Sequence, residues 1–420
     1  MRLADSKFSP VQVYALGIFL VVALVASLAT FAYGAGVPVE GDAQQYLTIG
    51  QSLAAGDGYR NPVSLWPLEP ALDRMPFWPL IIAAGLRLMP GVQAEIVARL
   101  CGAFCLAATG VFIFLLCARW RIRYWLAAMA ALAVALSPVM LSLSLTLLSE
   151  PSFAMLLAAA LALLSGSWKE RYLAALCLGL ATLVRSNFVM VVPVGLLLAC
   201  CFHQARLSLR RDWGWQRLVL FLFLFSLPLS LWILRNYMVS GRFPLISTIE
   251  GETLYGANND LVANQVDLWG YWVMPDLVPG ESSKRQLAEQ CGSDLALNDY
   301  YVARGRGWIA SHGRDLPRLL LGKLVRAFVP MPWKFSLGTY FAFSYRLLLD
   351  VALLLLWANW RSRAPAQFLL AVLTMLVLVL MTTMVFYGNN RFTHVMLEIL
   401  YLPLIAVGIE QRLSFTQPEK

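Results

Sequence analysis

The chain has 420 residues, of which 59% are hydrophobic and only 14% charged, with a net charge of +9. Soluble domains average roughly a quarter charged residues, so most of this chain belongs in lipid. The basic excess does not mark a nucleic-acid binder, because its Lys and Arg residues fall mainly in short loops between apolar runs, where they orient a membrane protein.

About ten apolar runs are long enough, or nearly so, to cross a bilayer core as helices. In chain order they lie near 11–33, 95–117, 124–144, 151–167, 171–185, 186–203, 217–237, 340–358, 366–386 and 394–411. The fold expected is all-α and polytopic. Arg2 and Lys7 precede the first run, which is longer than the apolar core of a secretory signal and reads as an uncleaved anchor. Phe77 to Met89 is apolar but too short to span, and reads as an interfacial or re-entrant helix.

Loop charges give the topology independently. With the N-terminus inside, the inside loops hold Arg2 and Lys7, then Arg119, Arg121 and Arg123, then Lys169 and Arg171, then Arg206, Arg210 and Arg211, and last Arg361 and Arg363. Every inside loop is basic, as the positive-inside rule requires, and both termini are expected inside. The first outside loop carries Glu40, Asp42, Asp57, Glu69 and Asp73. Three regions follow: a transmembrane part at 1–237 that includes an outside loop at 34–93, a large outside loop at 238–339, and C-terminal spans at 340–420. The large loop holds turn-forming clusters at Gly251–Asp260 and Gly280–Ser283 and an amphipathic helix near Arg314–Ala327. Loops this long are functional or disordered, and the apolar content of the first argues for order.

Cys101, Cys105, Cys117, Cys177, Cys200 and Cys201 lie in or beside apolar runs and Cys291 stands alone, so no disulfide framework can be drawn. His203, His312 and His394 are scattered, so no dedicated metal cage is expected, which leaves room for a single bound ion.

Asp42 follows the first span within a few residues. It reads either as a first-turn carboxylate stabilised by the helix dipole, or as a general base at the lipid interface. Its surroundings, Gly41-Asp-Ala-Gln-Gln-Tyr46-Leu and Leu53-Ala-Ala-Gly-Asp-Gly-Tyr59, are followed by Asp73-Arg-Met-Pro-Phe-Trp-Pro-Leu80. Further along come Leu148-Ser-Glu150-Pro-Ser-Phe, Gly179-Leu-Ala-Thr-Leu-Val-Arg185-Ser-Asn187, Trp232-Ile-Leu-Arg235-Asn236 and Gly388-Asn-Asn-Arg391-Phe. In order and sidedness this series resembles the GT-C glycosyltransferase superfamily, specifically bacterial relatives of protein mannosyltransferases and of aminoarabinose–lipid A transferase.

The resemblance implies a multi-span enzyme of the bacterial inner membrane with a periplasmic active cavity. It implies an inverting transfer of one sugar from a polyprenyl-phosphate donor to a hydroxyl acceptor on protein, lipid A or cell-surface polysaccharide. Asp42 would take the acceptor's proton. Arg74 stands where many relatives have Lys-Pro-Pro; Arg-Met-Pro departs from that pattern but keeps the charge and can bind phosphate bidentately. Arg391, Arg185 and Glu150 are expected to contact or organise the donor phosphate and sugar, with Tyr46, Tyr59, Asp73, Arg235 and Asn236 as further candidates. Arg346 and Asp350, four apart on one helix face, fit a structural ion pair as well as a functional one; Glu398 has no assigned role. The abundant Trp and Tyr first mark the membrane interface. Competing classes are a lipid-sugar flippase, and a polymerase or ligase using diphosphate-linked glycans. Transporters often show two related halves, which this sequence lacks.

Overall fold

The computed structural model describes residues 9–201, 213–243, 245–329, 347–348, 350–351 and 366–415. Arg2, Lys7, Arg206, Arg210, Arg211, Arg361, Arg363, His203, most of the expected span at 340–358, Arg346 with its expected pairing to Asp350, and the side chains of His394 and Glu398 lie outside the described residues.

The described secondary structure is helical. α1 (Pro10–Tyr33) opens with a reciprocal cap between Ser9 and Gln12 and a proline in its first turn, both of which favour helix initiation. α2 (Asp42–Ala55) and α3 (Phe77–Leu88) lie in the segment read as the first outside loop, and α4 (Ala94–Arg119) returns through the bundle. The run at 124–144 is two helices, α5 (Tyr124–Ala135) and α6 (Pro138–Leu145), bent by 44°. Ser137 caps Met140, and Pro138 has no N–H to continue the preceding ladder. α7 (Glu150–Leu164) and α8 (Trp168–Thr182) follow. A tight turn over Ser186–Met190 then precedes α9 (Val191–Cys201), and α10 is Trp215–Ser240. α1, α4, α7, α8 and α10 pack in sequence as neighbours around one apolar core.

By length and apolarity, three described helices can cross a membrane, and five if each bent pair is one span. The described residues therefore account for fewer than the expected ten, with most of the run at 340–358 outside them. α7 and α8 have 15 residues each, because polar breaks at Gly166–Ser167 and Arg185–Asn187 end them early. The segment read as interfacial or re-entrant is α3, which is packed into the protein: Trp78 is buried and its indole N–H donates to Leu147 O at 3.0 Å.

The segment read as the large outside loop is, over residues 245–329, a folded helical unit. α11 (Ile249–Gly256) occupies most of the stretch read as a turn cluster, followed by α12 (Asp260–Asn264), α13 (Lys284–Cys291), α14 (Asp294–Ser311) and α15 (Leu316–Phe328). Tyr255, Val262, Val273, Leu287, Leu297, Tyr301, Trp308 and Leu319 form a core of its own. α15 is the expected amphipathic helix, yet its buried face includes Lys323 and Arg326. α16 (Ala366–Val385), α17 (Asn390–Thr393) and α18 (Ile399–Phe415) complete the described chain, with a 46° bend near 398.

Two glycines join the loop unit to the C-terminal helices. Gly388 N donates to Gly270 O at 2.9 Å, and a Cβ at Gly388 would collide with Lys323 O. Gly270 has φ +74°, a conformation that side chains disfavour, and meets the backbone of Gly322 and Lys323 just as closely. This contact fixes the start of the Gly388–Arg391 segment.

Candidate active site

A cavity of about 540 Å³ lies between the bundle and the loop unit. Asp42 is the first residue of α2, where its carboxylate faces two guanidiniums. Arg74 Nη2 is 2.8 Å from Asp42 Oδ1, and Arg391 Nη2 is 3.6 Å from Oδ2. Arg391 Nε lies 3.1 Å from Glu150 Oε1 as an ion pair, and Arg185 Nη2 donates to the same oxygen at 2.6 Å. Charges therefore alternate along one chain: Arg74, Asp42, Arg391, Glu150, Arg185. Three cations against two anions leave one positive charge.

Each member is positioned by its element. α2 starts at Gly41, whose φ of +57° turns the backbone into the helix. Gln45 lies one turn on from Asp42 and accepts from Arg74 Nε, while the Tyr59 hydroxyl donates to Arg74 O at 2.8 Å. Arg74 also lies over the Tyr46 ring at 5.8 Å. Glu150 begins α7 and is 1% exposed. Just before it Leu147 is held at φ 57°, a costly conformation for such a residue, in a fully buried site. Arg185 stands in extended backbone between α8 and the Ser186–Met190 turn, and Arg391 in α17. Breaking one partner of such a buried pair typically costs about 3–5 kcal/mol, so Glu150 holds Arg185 and Arg391 in place.

Burial alone would raise the Asp42 carboxyl, but Arg74, then Arg391, outweigh it and hold it below the ordinary aspartate value. The carboxylate is charged, 35% exposed and open to the cavity. Glu150 Oε2 and Arg185 Nε are buried with no hydrogen-bond partner among the described residues. Orphaned polar atoms of this kind call for a polar ligand group or water.

Of the residues named from sequence, Asp42, Arg74, Arg185, Arg391, Tyr46 and Asp73 line the cavity. Asp73 accepts from Asn61 Nδ2 at 2.9 Å. Tyr59, Arg235 and Asn236 do not line the cavity and pack beside it. Tyr59 stacks edge-on to Trp232 at 5.2 Å, Arg235 donates to Ala71 O at 2.7 Å, and Asn236 donates to Leu245 O and Ile246 O, both at 3.1 Å. The Tyr59 and Arg235 contacts tie the end of α10 to the segment that carries Arg74, and Asn236 holds the chain that leaves α10. Gln45 was not singled out from sequence, although its spacing of three from Asp42 puts both on one helix face. The loop residues Glu250, Glu252, Asp276, Asp294, Lys284 and Tyr301 also line the cavity; their separation in sequence hid that.

This is a membrane protein with long apolar helices. Residues 73–232 match the family described as dolichyl-phosphate-mannose-protein mannosyltransferase, so the resemblance in the motifs has an independent counterpart. The matched stretch contains Arg74, Glu150 and Arg185; Asp42 and Arg391 lie outside it and join them only in the folded chain. No curated protein matches the chain. Among solved structures it is similar to ArnT from Cupriavidus metallidurans bound to undecaprenyl phosphate, at 16% identity and a TM-score of 0.45 over 95% of this chain and 78% of that one. The apo form of the same protein gives 17% identity and a TM-score of 0.39 over 94% and 77%.

Proposed function

We propose that the protein transfers one glycosyl unit from a polyprenyl-phosphate sugar to a hydroxyl acceptor at the periplasmic face, by a single inverting displacement. The alternating Arg74–Asp42–Arg391–Glu150–Arg185 chain carries this reading. Its surplus positive charge matches the single negative charge of a phosphodiester donor, whereas a diphosphate-linked donor would bring more charge than the chain neutralises. Three guanidiniums preorganised around the phosphate stabilise the charge that grows on it as the sugar leaves. Asp42, open to the cavity, accepts the proton of the attacking hydroxyl. Tyr46 and Asp73 border the sugar. Glu150 acts through the arginines it holds. The loop charges favour a site outside the inner membrane with both termini cytoplasmic.

Transfer by purified protein, followed by mass spectrometry of products from a polyprenyl-phosphate sugar pool, tests the donor assignment. Arg74→Ala is expected to insert normally and lose transfer by about 10²-fold or more, with Arg74→Lys retaining part of it. Near-normal transfer by Arg74→Ala would remove Arg74 from the site.

A further inference from the structure

The wall that the extramembrane unit contributes to the cavity carries the opposite charge from the arginine chain. Glu250 and Glu252 on α11, Asp276 before α13 and Asp294 at the start of α14 all line it. Lys284 lines the same wall, but Glu252 holds it at 2.6 Å. Among the described residues Glu250, Asp276 and Asp294 form no ion pair, so four carboxylates stand against one ammonium. Burial pushes Asp294 up to about 6; Thr248 is its hydrogen-bond donor.

A second feature of the same wall points to a ligand. Tyr301 on α14 lines the cavity and is 1% exposed, and its hydroxyl has no hydrogen-bond partner among the described residues. Buried hydroxyls are nearly always satisfied, so this one has room for a polar group, from a ligand or a water that a ligand displaces. A phosphorylated ligand would be repelled by the carboxylates. A neutral sugar would satisfy Tyr301 and leave the charge uncompensated. An ammonium group supplies positive charge and up to three donors, enough for a carboxylate and the phenol oxygen together.

We propose that this wall is a cation subsite that takes the ammonium group of an amine-bearing hydroxyl acceptor. The arginine chain lies at helix ends, where a lipid phosphate arrives from the bilayer. The acidic wall is built from the unit that an acceptor meets when it arrives from outside. The acceptor role rests on the glycosyl-transfer reading above; the preference for a cation does not.

The test uses full-length protein in lipid nanodiscs and two probes of the same ring, methyl glucosaminide and methyl N-acetylglucosaminide. Near neutral pH the glucosaminide is expected to bind at least about tenfold more tightly, the effect of one charge-assisted hydrogen bond. The gap should close in the Glu250→Gln/Asp294→Asn double variant. Tyr301→Phe should weaken glucosaminide binding while binding of undecaprenyl phosphate is unchanged. Equal binding of the two probes, or tighter binding of glucose 6-phosphate, would overturn the subsite. Mass spectrometry of the transfer product should place the amine on the acceptor half; an amine only on the delivered sugar, or on neither half, also overturns the proposal. A standing glucosaminide preference in a protein that transfers no sugar would support the subsite and contradict the glycosyl-transfer reading instead.

Discussion

An aspartate whose two oxygens each face a guanidinium stays ionised down to unusually low pH, and for the same reason it is a weaker base. In the proposed reaction these demands are reconciled by the donor. Its phosphate competes for Arg74 and Arg391, and the looser contact, Arg391 at 3.6 Å, yields first. Basicity at Asp42 therefore rises when the donor is bound. Because the folded-state pKa of Asp42 is depressed, the free enzyme loses its base only as pH falls through a value below the ordinary 3.8. Arg391→Gln removes one of the charges responsible, so the acid limb of kcat/KM should move to higher pH in that variant. A limb that stays in place would separate Arg391 from the electrostatics of Asp42. That Asp42 and Arg74 were legible from sequence follows from their sitting in one short loop with local motif neighbours. The Arg391 contact was not, since it closes over 349 residues of chain and depends on how α17 docks.

Among the elements, α15 shows most clearly where a sequence pattern stops. Its apolar stripe is plain, and by that pattern Lys323 should be solvated. In the fold Lys323 is 0% exposed, with its ammonium donating to Asn258 Oδ1 at 2.8 Å and to Met384 O at 3.4 Å. Both partners are neutral and distant in sequence, so no local spacing could reveal them. Burial lowers Lys323 to about 7. A lysine with a depressed folded pKa binds its proton more readily when unfolded. Stability should therefore rise with pH between about 7 and the unfolded value near 10.4, and be flat in this respect below 7. Lys323→Met should remove that rise in thermal unfolding of the purified protein; an unchanged pH slope would mean Lys323 is solvated. The same junction positions Arg391. Gly388→Ala places a methyl group against Lys323 O, so transfer should fall while the bundle still assembles. Wild-type transfer in Gly388→Ala would uncouple this docking from the site.

At the scale of the whole molecule, the number of spans was the feature hardest to read from sequence. The helix ends read as inside meet one another: Arg119 pairs with Glu170, and Arg123 Nε lies 3.2 Å from Glu410 Oε1. The motif residues read as outside meet around the cavity. Span number was harder to read because hydropathy does not register the breaks at Pro138 and at Arg185–Asn187 that shorten and bend the helices. The core of the loop unit was hidden too, since its apolar residues are scattered over dozens of positions. A reporter active only in the periplasm should be active when fused after Tyr59 and silent after Arg123; activity at Arg123 would reverse the orientation. The functional account itself turns on Asp42. Asp42→Asn keeps the size and much of the hydrogen bonding at the start of α2, and Asn serves a helix start nearly as well as Asp, but the charge and the basicity are gone. The most direct measurement is turnover by purified Asp42→Asn with a polyprenyl-phosphate sugar, alongside its binding of undecaprenyl phosphate. The account predicts retained binding with turnover reduced by at least about 10²-fold, the lower end of what a positioned general base contributes; turnover at the wild-type rate would contradict it.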